Sequence, residues 1–224
     1  MKKFFMMEGK FFNVLSKIAD LLWLNVLTIL CCVPVITAGA SITAMYSVTL
    51  AMVKNEEGYL TKSFFKAFAA NFLPATAMWA VILGGGLVIL ADVYIIGNYA
   101  PQFKVWLLVP MCFIVIVLLA LFLYVFPLQA YFKNTIRGTM GNALRLAVAH
   151  LPYTIVFLIL QAMPVVVIYY VTNIGFLAAL GWGFAGIGYL CSFAYRGIFH
   201  KYEVHEEAEE SAETAENISD RQAE

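Results

Sequence analysis

The chain predicts an all-α polytopic membrane bundle of about six spans. Both termini fall on the cytoplasmic side, and amphipathic helices lie in the inner interface. Three observations predict this. Apolar side chains make up 62% of the 224 residues and charged ones only 12%, against about 45–50% and 25% in soluble domains. A water-soluble domain of this length could not hide so many apolar groups. The apolar residues fall into long runs separated by short polar segments. Thirteen of the fourteen Lys/Arg residues then lie on one side of a bilayer, Lys104 being the exception. Basic residues near span ends are retained on the cytoplasmic side, so this bias sets the orientation.

The first element is an amphipathic helix over residues 3–18. Phe4, Met7, Phe11, Leu15 and Ile18 share one face, and Lys3, Lys10 and Lys17 recur along its flank, where their stems snorkel. Span one follows at about 18–36, with Pro34 near its end. Span two follows at about 37–53, after a turn around Thr37-Ala38-Gly39-Ala40. At 1.5 Å per residue these spans reach roughly 25–28 Å, barely a hydrocarbon core of about 30 Å. Their length leaves open whether residues 37–53 cross in full.

Residues 60–72 predict a second interfacial helix. Leu60, Phe64, Phe68 and Phe72 recur every four residues, while Lys62 and Lys66 lie elsewhere. Spans three and four take about 73–96 and 105–132, around the turn Asn98-Tyr99-Ala100-Pro101. A third interfacial helix, 136–151, sets Ile136, Met140, Leu144 and Leu151 against Arg137 and Arg145. Spans five and six cover about 153–171 and 174–195, around Val171-Thr172-Asn173. Anchoring on anionic lipid is the plain reading of the three cationic segments. Docking on a partner protein, through Lys62, Phe64, Phe65, Lys66, Phe68, Arg137 and Arg145, is the sharper one.

The chain divides into an interfacial helix (1–17), a transmembrane domain (18–200) and an acidic tail (201–224). The formal net charge of zero is the sum of two opposed parts. Residues 1–202 carry 13 basic and 5 acidic side chains, a balance of +8, and residues 203–224 carry nine acids and Arg221, a balance of −8. Such a tail cannot bury enough apolar surface to order itself, and the sequence predicts it disordered. A cleavable signal peptide ending at Ala38-Gly39-Ala40 is rejected, because cleavage would place Lys54, Lys62, Lys66, Arg137 and Arg145 outside.

Small residues predict which spans pack closely. Thr37, Ala40, Ala44, Ser47 and Ala51 form a stripe along span two, and Ala178, Gly181, Ala185, Gly188 and Ser192 form one along span six. Such stripes let helix backbones approach where lipid removes the hydrophobic drive, so these two spans are expected at the centre. Gly84-Gly85-Gly86 marks a flexible or closely approached point in span three. A faint internal echo, Leu-Pro-x-Thr at Leu73–Thr76 and Leu151–Thr154, stands twice at the start of an outward span. A proline suits the first turn of a helix. A parallel duplication and coincident helix-start chemistry both explain the echo.

Chemistry-bearing residues are few. The ionisable groups inside the apolar runs are Asp20, explained by local pairing with Lys17, and Asp92, near the outer end of span three. Asn25, Gln129 and Gln161 lie deeper and suit hydrogen bonding between helices. Cys31, Cys32, Cys112 and Cys191 lack metal or disulfide spacing, and His150, His200 and His205 form no ligand set. No catalytic triad, phosphate loop or zinc helix is present. The sequence therefore predicts no catalysis, no metal or cofactor and no nucleic-acid partner.

The stretch Leu24-Asn25, Pro34-Val35-Ile36-Thr37-Ala38-Gly39-Ala40 and Ala44-Met45-Tyr46 resembles the signature of the YesL family, a domain family of unknown function. So does Ser63-Phe64-Phe65-Lys66-Ala67-Phe68 with Asn71. The resemblance covers most of residues 1–200 and leaves the acidic tail as a departure. It implies a bacterial integral membrane protein, often associated with carbohydrate ABC-transporter systems, and carries over no catalytic or binding residue. The expectation is therefore a non-enzymatic accessory protein in the cytoplasmic (inner) membrane, with lipid and ABC-transporter subunits as partners. The alternative is a small-solute transporter or channel, with Asp20, Asn25, Asp92 and Gln161 lining its path.

Overall fold

The computed structural model describes residues 2–56, 58–98, 104–132, 134–170 and 183–202. These form α1 (Lys2–Cys32), a 3-10 turn (Val35–Thr37), α2 (Ala38–Lys54), α3 (Leu60–Asn98), α4 (Lys104–Tyr131), α5 (Ile136–Ala149), α6 (Leu151–Tyr170) and α7 (residues 184–202). The described residues contain no strand. Four stretches, in α1 to α4, are long and apolar enough to cross a membrane, and the bent pair α5–α6 is a fifth if it counts as one span. The protein is an all-helical integral membrane protein. Ala178, Gly181, the Val171-Thr172-Asn173 turn, most of the Asn98–Pro101 turn and the acidic tail from residue 203 lie outside the described residues.

Two of the expected interfacial helices are not separate elements. Residues 3–18 run without a break into the first apolar stretch, and residues 60–72 continue through Pro74 to Asn98. Proline inside a helix removes one hydrogen bond and crowds the preceding turn. Packing on both sides of Pro74 holds the helix through it, since Phe64, Ala75 and Met78 are fully buried. The second Leu-Pro does mark a break, with α6 turned 102° from α5. There the Thr154 hydroxyl donates to the carbonyls of Ala147 (2.9 Å) and His150 (3.1 Å), meeting acceptors freed at the end of α5. Thr76, its counterpart, keeps a buried hydroxyl with no partner among the described residues.

α2 is the central helix. Of its apolar window 67% is buried inside the protein, against 28%, 6% and 22% for those of α1, α3 and α4. Its small residues explain the fit. A Cβ at Gly39 would come within 2.6 Å of both the Ala75 carbonyl oxygen and Trp79 Cβ, so α2 and α3 touch nearly backbone to backbone. Ala40 and Ala44 are fully buried and Ser47 half-buried. On α7, Ala185, Gly188, Cys191, Ser192 and Tyr195 line up on the buried face. Tyr195 stands among Tyr46, Tyr124, Phe157 and Phe199, with ring centroids 4.3–5.8 Å away. Its hydroxyl donates to the Leu123 carbonyl at 2.7 Å.

The α1–α2 hairpin is shorter than the helices it packs against. Its first helix, α1, ends at Cys32, not Ile36, because Pro34 disfavours helical backbone at the residue before it. The turn is therefore Val33–Thr37, and Ala38–Ala40 already belong to α2. This turn meets α3 at its midpoint, where the Trp79 indole donates to the Val35 carbonyl at 2.7 Å. The nineteen residues of α3 beyond Trp79 rise roughly 29 Å further. The tip is apolar and exposed at Val33, Val35 and Ile36. Its irregular backbone is nonetheless bonded. The Thr37 hydroxyl donates to Cys31 (2.6 Å) and Pro34 (2.8 Å) carbonyls, and the Thr37 N–H also reaches the Pro34 carbonyl (2.8 Å). Non-helical backbone at membrane depth persists only when so satisfied. Residues 37–53 thus climb about half the height of α3.

Two expectations follow. In a cysteine-free background, Asn98→Cys should react with an impermeant maleimide from outside, Lys62→Cys and Arg145→Cys only from inside, and Ile36→Cys from neither side. Labelling of Ile36→Cys from outside would mean that the hairpin crosses fully. Gly39→Ala should destabilise by about 1–3 kcal/mol through overpacking, read as a lowered melting temperature in detergent. Gly84→Ala, with open space around it, should be neutral or slightly stabilising.

Candidate functional site

The polar residues within the bundle join helices in pairs. The Asn25 side-chain oxygen accepts the backbone N–H groups of Phe184 (3.1 Å) and Ala185 (3.0 Å). It is fully buried on α1 and ties that helix to the backbone of α7. Gln161 donates from α6 to the Tyr46 hydroxyl on α2 at 3.3 Å. Gln129 donates from α4 to Asn71 Oδ1 on α3 (3.3 Å) and accepts from the Thr139 hydroxyl on α5 (3.1 Å). Further links involve residues that the sequence reading did not single out as polar contacts. Thr49 and Ser192 share a hydrogen bond between α2 and α7 (2.8 Å), and Ser41 donates to the Thr28 carbonyl on α1 (2.9 Å). Hydroxyls at small-residue positions were the available signal.

The two carboxylates within the apolar runs are not brought together. Asp20 lines a cavity of about 340 Å³ with Ser47, Glu56, Tyr59 and Ser63, where α1, α2 and the start of α3 meet. The Lys17 ammonium, one turn earlier, donates to Asn55 Oδ1 at 3.1 Å. Asp92 is half-buried near the far end of α3, roughly 48 Å along the helix from Leu60.

The cations gather at the Asp20 end, and several hold the bundle together. Arg196 on α7 donates to the Val53 carbonyl in the last turn of α2 (3.0 Å). The Lys54 ammonium lies 4.6 Å from the centroid of the Tyr131 ring. Asn55, at φ 56°, ends α2 in the left-handed conformation, with its own N–H and that of Glu56 returning to carbonyls of the last turn.

The proposed docking set divides on burial. Lys62 and Lys66 are exposed, and Phe65 is 47% exposed. Phe64 is 0% exposed and stacks on the half-buried Phe68 at 6.3 Å, so this pair belongs to the core and offers nothing to a partner. The four-residue spacing marked the inward face. Arg137 and Arg145 are exposed on α5, whose other face buries Thr139, Ala143, Leu146 and Ala147. Arg145 also lines a second cavity, of about 250 Å³.

Asn25→Ala should destabilise by about 1 kcal/mol through loss of its buried hydrogen bonds to α7. Thermal unfolding in detergent checks it, and an unchanged midpoint would mean that the bond carries no net stability.

No curated protein and no solved structure matches the chain. A family described as "Protein of unknown function, DUF624" matches residues 20–93, from Asp20 on α1 to Val93 near the end of α3. The matched segment holds the half-height hairpin and the long helix that it packs against.

Proposed function

We propose that the protein is a non-enzymatic accessory or scaffold protein of the bacterial inner membrane, with N and C termini inside. It serves carbohydrate uptake by docking its basic end on subunits of an ABC-type transporter. One observation carries the docking: exposed Lys62, Phe65 and Lys66 at the start of α3 stand at the same end as Arg137 and Arg145 on α5. Cations with an aromatic anchor, built on helices whose opposite faces are packed, make a stiff surface suited to a protein partner. The link to sugar uptake rests on the resemblance to the YesL family. Support for a scaffold over a carrier comes from the interior, where Tyr124, Tyr195, Phe157 and Phe199 fill the centre and Asn25, Gln129 and Gln161 bond neighbouring helices.

Affinity purification from native membranes should recover transporter subunits with the wild-type chain. Recovery should fall at least about tenfold for the Lys62→Glu/Lys66→Glu double variant, as charge complementarity turns to repulsion. Undiminished recovery would overturn the docking face. Solute flux through liposomes holding the purified protein, altered by Asp92→Asn, would replace the accessory role with transport.

A further inference from the structure

The cavity beside α5 brings together polar groups, Asn134, Asn142 and Arg145, that the helix packing does not use. It lies among α5, the end of α4 and the end of α7. Phe132 and Phe199, with ring centroids 5.8 Å apart, form part of an apolar floor, while Asn134, Asn142, Arg145 and Tyr202 supply its polar groups. Among the described residues its lining contains one cation and no carboxylate. Among the described residues, the side chains of Arg145, Asn134 and Asn142 have no hydrogen-bond or ion-pair partner. The Tyr202 hydroxyl lies 3.3 Å from His150 Nε2 at the α5–α6 joint.

The depth of the cavity narrows the ligand. Because α5 turns 102° from α6, it runs along the membrane face when α6 crosses, and the cavity opens at the level of lipid headgroups. Guanidinium and amide donors without a competing carboxylate select an anion with several acceptor oxygens, and a planar guanidinium fork suits phosphate. The apolar floor suits the carbon atoms next to such a group. The volume falls below the roughly 300–1,000 Å³ of pockets that engulf a drug-sized ligand, so it fits a headgroup and not a whole lipid.

We propose that this cavity binds the phosphate group of an anionic amphiphile, with Arg145 pairing with the phosphate oxygens. Asn134 and Asn142 donate beside it, and Phe132 receives the adjoining carbon chain.

The test is native mass spectrometry of the full chain in nonionic detergent, titrated with phosphatidylglycerol, diacylglycerol or glycerol 1-phosphate. Phosphatidylglycerol should be retained, and diacylglycerol, which lacks phosphate, should not. Arg145→Gln should weaken phosphatidylglycerol binding about tenfold through loss of the charge-assisted pair, whereas Lys62→Gln should change it less than twofold. Arg145 is exposed, so the variant should fold, and Asn142→Leu supplies a second probe, with thermal unfolding as the control for both. Binding unchanged in both variants, or equal loss in Lys62→Gln, would overturn the site in favour of diffuse adsorption. Equal retention of diacylglycerol would overturn the role of phosphate. Displacement of the lipid by glycerol 1-phosphate at equal concentration would overturn the amphiphile and leave a site for water-borne phosphate.

Discussion

The structure depends on satisfying the ends of α2 from within the protein. In hydrocarbon each unbonded backbone group costs several kcal/mol, so a helix that stops partway through a bilayer must borrow partners. α2 borrows at both ends. Near its start, Thr37 closes the turn onto Cys31 and Pro34, and Trp79 takes the Val35 carbonyl. Near its finish, Arg196 holds the Val53 carbonyl and the Asn55 turn recovers those of Ala51 and Met52. The donors come from α3 and α7 as well as the hairpin itself. Closing the ends of α2 therefore assembles much of the bundle. Gly39 permits it, since a bulkier residue would push Trp79 away from the tip.

The same accounting explains Asn25. Interhelical side-chain bonds within membranes average only about 0.6 kcal/mol, because an unfolded span finds other partners. Gln161 to Tyr46 is a bond of that kind. Asn25 instead receives two backbone donors of α7 on one buried oxygen. A single amide on α1 thus fastens α7 at Phe184 and Ala185. Against α2 the same helix is held by the Thr49–Ser192 hydrogen bond and by the close approach of Gly188 to Met45.

Much of this was legible in the sequence. Apolar runs and scarce charge gave an all-helical membrane bundle, and the stripe through Ala40 and Ala44 falls on the most buried helix. What escaped concerns continuity and direction. Pro74 and Pro152 stand in matching Leu-Pro-x-Thr contexts, yet only the second breaks a helix. The difference lies in residues distant in the chain: Gly39 and the core around Phe64 clamp the first, while Tyr124 and the α5 carbonyls engage Thr154 at the second. Hydrophobic periodicity in residues 60–72 identified a coherent face. It could not say whether that face met lipid, a partner or the protein's own core, and Phe64 meets the core. The height of the α1–α2 hairpin was hidden for a related reason, since length alone does not reveal where along a neighbour a helix sits.

The two ends of the bundle differ in kind, and the proposed contacts belong to one of them. At the far end of α3 the described surface is largely apolar, with Leu87, Leu90 and Tyr94 exposed beside a half-buried Asp92. At the other end stand both described cavities, the loops at Asn55–Tyr59 and Phe132–Thr135, and the exposed Lys62, Lys66, Arg137 and Arg145. Cations there divide by task. Arg196 and Lys54 lie against α2 and α4, and their charge is spent on a helix end and an aromatic face. Lys62, Lys66 and Arg137 remain exposed, and Arg145 sits over a cavity that, among the described residues, offers it donors as neighbours and no counter-charge. A guanidinium held at a membrane face without a carboxylate in its cavity is stabilised by an anion from outside the cavity. That requirement makes the proposed lipid binding by Arg145 and the proposed docking by Lys62 and Lys66 separable, because the two sets stand on different helices.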